Sequence, residues 1–544
     1  MDHQVYTVPE SVQLVFQDGG KTPRGFVVDL FREVFGRHQR DAYALSMLIE
    51  RQDKAACGPF PPSVAKALFD AAQERIRAEG HTLQITSEPA GETEAPDPSE
   101  IQFECARDAV AWHFADIPPN SLVTMLRQFP GHMRADIQIA IDKLFASPVR
   151  FFGVLQQRWT FEKLSFAELR RAGDEPVLLA SPQYHEIDIG EATPVKCLHN
   201  GLWLSEANEF RYAVLLSYYR EPIQTCGTSP EEMMLIEIAV PAGGAGESFA
   251  QHCFVELERA VQSAGSYRGK ILSLESDPNY SGRSRGVTVH RWPRVDRADV
   301  ILPEKVVKLL DGNVLSFVGM RDALRRLGQS TRKGILLYGP PGTGKTHTIR
   351  YLATNLADQT TLIMAAAEVG ALGEYMNLAR LLQPVLVVIE DVDLIARDRN
   401  EMRDAREELL LNKLLNEMDG LKEDADILFL LTTNRLEELE GAIAARPGRI
   451  DQVIEVPLPD ANGRDKLVRL YGKRLPLTEA VVAEAVRQSE GVSAAFMKEF
   501  MRRIAQSSIA RDGGKTVICD DIDQALEAML PMRAHGSQTG QAGP

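Results

Sequence analysis

The alternation of apolar and polar positions divides the chain into stretches of different period. Val12–Gly36 (VQLVFQDGGKTPRGFVVDLFREVFG) reads as a strand, a glycine-rich loop and an amphipathic helix starting near Pro23, where the proline ring pre-sets a helical φ. Asp41–Gly58 predicts a second helix and a turn, and Pro61–Glu88 a third helix stopped at Gly80 before a final strand. Ser87–Glu100 (SEPAGETEAPDPSE) is acidic and proline-rich, with nothing to bury, and reads as a linker. Beyond it, Ser121–Phe145 predicts a helix, Tyr212–Arg220 and Glu232–Val240 predict strands, and Pro241–Ser248 a flexible turn. Gly334–Gly339 (GILLYG) is short and continuously apolar, as a buried strand must be, and Thr346–Leu356 has helical spacing. Pro384–Arg399 and Asp426–Leu439 each predict a buried strand ending in polar residues. Ala495–Ala510 predicts a helix, and Arg533–Pro544 a polar, disordered tail.

At 544 residues the chain exceeds one hydrophobic core, so about three domains are expected. A net charge of -15 argues against a general nucleic-acid binder. The six cysteines have no metal-ligand spacing and fit reduced thiols. The opening residues MDHQVYTVPE carry no signal peptide, and no apolar stretch is long enough to span a bilayer. A cytoplasmic protein is expected.

Between the strand at Gly334–Gly339 and the helix at Thr346–Leu356 lies G-x-x-x-x-G-K-[ST]: Gly339, Pro340, Pro341, Gly342, Thr343, Gly344, Lys345, Thr346, with His347 next. A loop that wraps phosphates turns successive backbone N–H groups inward, which demands positive φ at several positions. The helix N-terminus adds a favourable dipole for anions. Lys345 is placed to reach the β- and γ-phosphates of ATP, and the Thr346 hydroxyl to hold Mg²⁺.

The strand from Pro384 ends in Glu390 and Asp391. The usual order in such a segment is Asp, supporting the Mg²⁺ shell, then Glu, polarising the attacking water. Here Glu390 takes the metal-side position and the shorter Asp391 the water-side position, so slow hydrolysis is expected; Asp393 is a candidate to share the load. Asn434 fits a polar sensor touching the γ-phosphate or the water. Arg446 and Arg449, in AARPGRID, fit arginines supplied across a subunit boundary to charge building on the phosphoryl group.

These segments, with LLNEMDGL (Leu414–Leu421) and SEGVSAAFMKEF (Ser489–Phe500), resemble the AAA family of ATPases from about Val300 to Met532. The EDVD order and TTN…RPGRID look most like the subgroup containing the mitochondrial Rieske-protein translocase, which tolerates the swapped acids. The resemblance implies an α/β parallel-sheet domain with a small helical lid, ATP and Mg²⁺ as cofactors, and a homo-oligomeric ring, usually a hexamer. It also implies that Ala494 and Ala495 pack near the nucleotide. Family unfoldases carry an aromatic–apolar–glycine element on the pore side. Here Ala371-Leu372-Gly373-Glu374 lacks the aromatic, and Tyr375 is displaced from its position. Processive threading is thereby placed in doubt.

The order of elements in the first ninety residues, with Thr22-Pro23, Phe26-Val27, Val34-Phe35-Gly36, Met47-Leu48, Cys57-Gly58 and Gly80-His81, resembles the Clp protease adaptor ClpS. That adaptor captures proteins by their N-terminal amino acid. Its pocket carries over in part, onto Asp18, Thr22, Pro23, Arg24 and Glu50. Arg24 replaces an apolar gatekeeper and Glu50 a histidine, and Asp18 and Glu50 are suited to hold an ammonium group.

The expected organisation is an adaptor-like domain (1–90), a linker (91–100), an α+β middle domain (101–298), an α/β ATPase core (299–460), a helical lid (461–532) and a tail (533–544). The expected function is ATP-driven remodelling, unfolding or disassembly of protein clients selected through the N-terminal domains, with a protease as a possible further partner. The alternatives are a slow ATP-dependent assembly switch and, poorly supported by the acidic balance, a nucleic-acid-stimulated ATPase.

Overall fold

The computed structural model describes residues 11–18, 21–90, 102–155, 163–171, 176–207, 210–220, 232–274, 286–356, 358–396, 414, 416–418, 420, 425–438 and 450–529. The chain forms two compact units. One comprises residues 1–185 and 196–261, the other 186–195 and 262–544.

The first unit begins with a three-stranded antiparallel sheet of order β2-β1-β3, from β1 (Val12–Gln17), β2 (Lys54–Phe60) and β3 (Gln84–Pro89). Helices α1 (Arg24–Glu33), α2 (Gln39–Gln52) and α3 (Pro62–Ala78) complete this module. Its core is Leu14, Phe16, Phe31, Leu45, Ile49 and their neighbours. The helices match expectation, but Lys54–Phe60 is a strand where a turn was predicted. Its small residues, Ala55, Ala56, Cys57 and Gly58, give no alternation of large apolar side chains to read.

Next comes α4 (Ala106–His113), then a six-stranded antiparallel sheet of order β4-β11-β10-β9-β5-β6. The strands are β4 (Leu122–Pro130), β5 (Arg150–Val154), β6 (Leu179–Ala180), β9 (Asn200–Ala207), β10 (Phe210–Arg220) and β11 (Glu232–Pro241). A two-stranded ribbon, β7 (Tyr184–Ile187) and β8 (Val195–Leu198), lies between β6 and β9 in sequence. Helices α5 (Arg134–Leu144) and α7 (Gly244–Ser263) pack with one face of the large sheet through Ile137, Ile141, Phe254 and Leu257. Helices α4 and α6 (Phe166–Leu169) cover the other face. Two sequence readings are corrected. Ser121–Phe145 is a strand and then a helix, broken at Pro130-Gly131, and the glycine-rich Pro241–Ser248 already contains the start of α7.

The second unit holds a seven-stranded sheet of order β13-β12-β15-β16-β17-β14-β18. Its strands are β12 (Ile271–Leu274), β13 (Val287–His290), β14 (Lys333–Tyr338), β15 (Thr360–Ala365), β16 (Val385–Glu390), β17 (Ile427–Thr433) and β18 (Gln452–Glu455). All neighbours are parallel except the β12–β13 pair. This sheet therefore begins before the expected boundary at 298/299, since β12 and β13 already belong to it. The sheet carries α8 (Glu304–Leu310), α9 (Ser316–Arg326), α10 (Lys345–Asn355), α11 (Leu372–Leu381) and α12 (Asp393–Ala396). A helical lid follows: α13 (Ala461–Tyr471), α14 (Glu479–Gln488), α15 (Ala494–Asp512) and α16 (Cys519–Glu527), closed over Phe500, Met497 and Ile504. Among the described residues no helix is long and apolar enough to cross a membrane.

In the first unit His113 is fully buried, its Nε2 3.1 Å from Ser205 O and 3.0 Å from Tyr212 O, and its Nδ1 3.2 Å from Arg40 Nη2. Those partners assign the proton to Nε2 and leave Nδ1 to accept from the guanidinium. Burial, reinforced by Arg40, pushes its pKa down to about 3. The unfolded value is about 6.5, so between the two the unfolded chain binds a proton that the folded chain refuses. This unit should therefore lose stability as pH falls below about 6.5, by up to about 1.4 kcal/mol per pH unit from this one group. Thermal melts from pH 7.5 downward should show a shallower acid limb in a His113→Gln variant than in wild type.

Candidate active site

Three adjacent parallel strands end side by side. The register pairs Tyr338 of β14 with Thr433 of β17, and Ile389 of β16 with Leu431 of β17. Their C-terminal ends deliver the glycine-rich loop, the Thr432-Thr433-Asn434 segment and the Glu390-Asp391 pair to one edge of the sheet. This is where open α/β sheets bind ligands. The strands can be that close because β16 and β17 are buried on both faces and carry nearly continuous apolar residues.

In the loop, Gly339, Gly342 and Gly344 have φ of 150°, 76° and 106°. A Cβ on Gly339 would lie 2.2 Å from Val456 O, so the position also needs glycine for space. Lys345 opens α10 and is buried. Its Nζ donates to Gly339 O at 2.7 Å and Pro340 O at 3.0 Å, and it forms no ion pair among the described residues. Burial lowers its pKa, opposed by the more distant charges of Asp391 and Asp393. A buried ammonium ringed by carbonyls and lacking a counter-ion fits an anionic phosphate. Thr346 Oγ1 donates to Glu390 Oε1 at 2.8 Å, placing a hydroxyl and a carboxylate together as Mg²⁺ binding requires. His347 is exposed, its Nε2 3.2 Å from Asp299 O. That contact brings in a segment before α8 that no motif had marked.

Asp391 occupies the left-handed region at φ 53°, an uncommon place for a residue with a side chain. Two contacts hold it there. Its N–H donates to Thr432 Oγ1 at 3.0 Å, and Asn434 Nδ2 donates to its Oδ1 at 3.1 Å. Asp393 is buried beneath, its Oδ1 accepting from Thr433 Oγ1 at 3.0 Å and from the Asn434 N–H at 3.1 Å. Its carboxylate is thus engaged in fixing the end of β17 and the backbone that aims Asn434.

The lid reaches the loop directly: the Ala495 N–H donates to Gly342 O at 3.0 Å. A Cβ on Gly342 would come within 2.9 Å of both Ala495 Cβ and Ser493 Oγ, so the first turn of α15 rests on the phosphate loop. Arg446 and Arg449 lie outside the described residues. Tyr375 is fully buried in α11, where its Oη accepts from the Leu274 N–H at 2.9 Å and lies 3.0 Å from both Ile363 O and Glu368 Oε2. Leu372 is buried as well.

In the N-terminal module, Asp18 is buried and turned toward its own loop, where Oδ2 accepts from the Thr22 N–H at 2.9 Å and Oδ1 from Thr82 Oγ1 at 3.4 Å. Thr22 Oγ1 is buried without a partner among the described residues. Pro23 precedes α1 as its cap, and Arg24 and Glu50 are paired with each other, Nε donating to Oε1 at 2.9 Å.

A glycine-rich loop between strand and helix, a lysine without a counter-ion, and acids and an amide at neighbouring strand ends define a P-loop nucleoside triphosphatase. Residues 335–458 match the model of the ATPase family associated with various cellular activities (AAA), and residues 8–86 that of the ATP-dependent Clp protease adaptor protein ClpS. The chain is 33% identical over 280 residues to a proteasome-activating nucleotidase of Saccharolobus solfataricus, covering 49% of this chain and 70% of the relative. It is 30% identical over 261 residues to an ATP-dependent zinc metalloprotease FtsH of Thermus thermophilus, covering 46% of this chain and 41% of that protein. The chain belongs to the AAA family of ATPases, and its ATPase domain is of the ATP- and Mg²⁺-using class. Relatives of both kinds match at similar strength, so the narrower likeness to the Rieske-protein translocase subgroup is not singled out.

Removing the amide that holds Asp391 tests the site. Asn434→Ala should bind a fluorescent ATP analogue within about threefold of wild type, yet release phosphate roughly 10²-fold more slowly, the usual loss for one preorganised donor.

Proposed function

We propose that this chain is an ATP-driven machine that remodels protein clients, working as a homo-oligomeric ring, a hexamer by analogy with its family, inside the cytoplasm. The observation that carries the reading is the buried Lys345 ammonium, which donates to two loop carbonyls and directly precedes Thr346, itself bonded to Glu390. In this reading Lys345 and the loop amides bind the triphosphate. Thr346 and Glu390 would hold Mg²⁺, which would supply positive charge to the phosphate oxygens. Asp391, oriented by Asn434, polarises the attacking water. Arg446 and Arg449 complete a neighbouring subunit's site. The reversed Glu390-Asp391 order supports a tie to the Rieske-protein translocase subgroup and a modest hydrolytic rate. Protein clients are supported by the adaptor-like match at residues 8–86 and by the names of the relatives, a zinc metalloprotease and a proteasome-activating nucleotidase. A partner protease is a further possibility of this reading.

A second reading, a slow switch that times assembly without threading a chain, draws on one specific observation. The element where a pore aromatic is expected offers none, because Tyr375 and Leu372 are both buried. Remodelling without processive threading is compatible with both.

Lys345→Ala should abolish nucleotide binding and phosphate release; turnover retained in that variant would refute the ATPase assignment. Asp391→Asn should retain ATP while turnover falls by about 10² or more. If clients are remodelled, pull-downs with this variant and ATP should recover protein that the Lys345→Ala variant does not. Turnover of wild type that no client stimulates would instead favour the switch.

A further inference from the structure

In the first unit a cavity of about 190 Å³ opens beside the six-stranded sheet. Its lining includes Gln138 and Asp142 of α5, Phe145 just after that helix, Phe151 of β5, Tyr184 of β7 and Trp203 of β9. Four of these six side chains are aromatic. The Trp203 ring centroid lies 4.9 Å from that of Phe151, with the planes 33° apart, and 6.4 Å from that of Phe145. Trp203 and Phe145 are buried in the core between the sheet and its helices, so packing fixes this wall. Tyr184 is half exposed and stands at the rim.

One carboxylate joins that wall. Gln138 and Asp142 are one helical turn apart on the same face of α5. Gln138 is only 3% exposed and both ends of its amide are engaged: Oε1 accepts from the Leu198 N–H at 2.8 Å, and Nε2 donates to Asp142 Oδ1 at 2.8 Å. The side chain that ties α5 to β8 thereby orients the Asp142 carboxylate. Among the described residues Asp142 Oδ2 has no hydrogen-bond partner and Asp142 forms no ion pair. Arg134, at the start of the same helix, is committed elsewhere: its Nη2 donates to Leu198 O at 2.8 Å, and its guanidinium lies 4.2 Å from the Tyr218 ring centroid. The Tyr184 hydroxyl has no hydrogen-bond partner among the described residues either. Burial, with the charge of Asp142 added, raises the pKa of that phenol, which places carboxylate and rim close together.

Aromatic rings beside a carboxylate without a counter-ion suit a cation with apolar substituents, because the rings attract positive charge and also cover methyl and methylene groups. The cavity is smaller than the roughly 300–1,000 Å³ of small-molecule pockets, so it has room for the end of a side chain and none for a nucleotide. We propose that it binds an alkylammonium group, a lysine-like or N-methylated ammonium, with the charge against Asp142 and the carbon groups against Phe145, Phe151 and Trp203. Tyr184 closes the rim. The site uses no residue of the nucleotide site and goes beyond the remodelling reading without resting on it.

The test titrates the full-length chain, without nucleotide, in a calorimeter. The probes are N-acetyl-lysine amide, its mono-, di- and trimethyl forms, choline, and N-acetyl-norleucine amide as the uncharged counterpart. At least one alkylammonium probe should bind with one site per chain, roughly tenfold or more tighter than the norleucine compound. Asp142→Asn keeps the shape and removes the charge, and should weaken that binding by roughly tenfold. Tyr184→Leu removes a half-exposed ring and should weaken it by about threefold or more. Both positions are at the surface, and phosphate release at the wild-type rate would show that each variant is folded. Methylated lysine amides binding tighter than choline would identify a protein side chain as the source of the group, and the reverse order a free quaternary amine; either supports the site. No binding by any charged probe, equal binding of the norleucine compound, or an Asp142→Asn variant that binds like wild type would overturn it.

Discussion

A lysine taken out of water without a carboxylate beside it is a standing electrostatic demand. Desolvating an ammonium carries an effective penalty of several kcal/mol, and at Lys345 two backbone carbonyls and the more distant charges of Asp391 and Asp393 offset it in part. The loop supplying those carbonyls holds its shape because Gly339, Gly342 and Gly344 adopt backbone angles that side-chain-bearing residues avoid, one of them against Val456 O where no Cβ fits. Val456, the residue after β18, supplies that close wall and the lid the other, through Ala495 on Gly342. The core, the lid and the loop therefore constrain one another around a charge that a phosphate would satisfy.

Much of this was legible in the sequence because the ATPase core obeys local rules. The apolar runs of β14, β16 and β17 are long enough to declare buried parallel strands, and the punctuation after each marks where its chemistry sits. What escaped was set by distant partners. Strand β12 has four residues and takes its identity from pairing with β13 and β15, so no local period separates it from the preceding domain. Strand β4 lies at a sheet edge, and its half-exposed side chains imitate an amphipathic helix. Tyr375 stands near a familiar functional position, yet its hydroxyl is taken by the Leu274 N–H of β12. A motif locates a residue along the chain; only the third dimension reveals which way it faces.

The reversed acids also acquire a physical setting. A carboxylate one methylene shorter must be brought closer to its target by the backbone, and Asp391 sits in a left-handed conformation that Thr432 and Asn434 hold in place. Strain of this kind persists only where neighbouring groups over-determine it. Asp393 contributes from below by fixing Thr433 and the Asn434 backbone, so its role in this arrangement is to position rather than to polarise. The Glu390-Asp391 pair thus keeps the supporting contacts that the proposed catalytic role would need.

The same reasoning bears on the adaptor-like module. Helix α2 buries Ala42, Leu45 and Ile49 in the module's own core, while Ala44 and Met47 are buried with Phe103, Trp112 and the neighbouring sheet. A helix apolar on two faces is packed on two sides, and a recognition helix with an open pocket would leave one of them to solvent or ligand. Met47, read from sequence as a mark of likeness to the adaptor, is also the residue that seats α2 on the next domain. Once that face is covered, Arg24 finds its acceptors at the rim, with Asp108 contributed by the covering helix itself. The setting of Arg24 then follows from that packing: with α4 against α2, its guanidinium takes acceptors from both helices, Glu50 of α2 and Asp108 of α4.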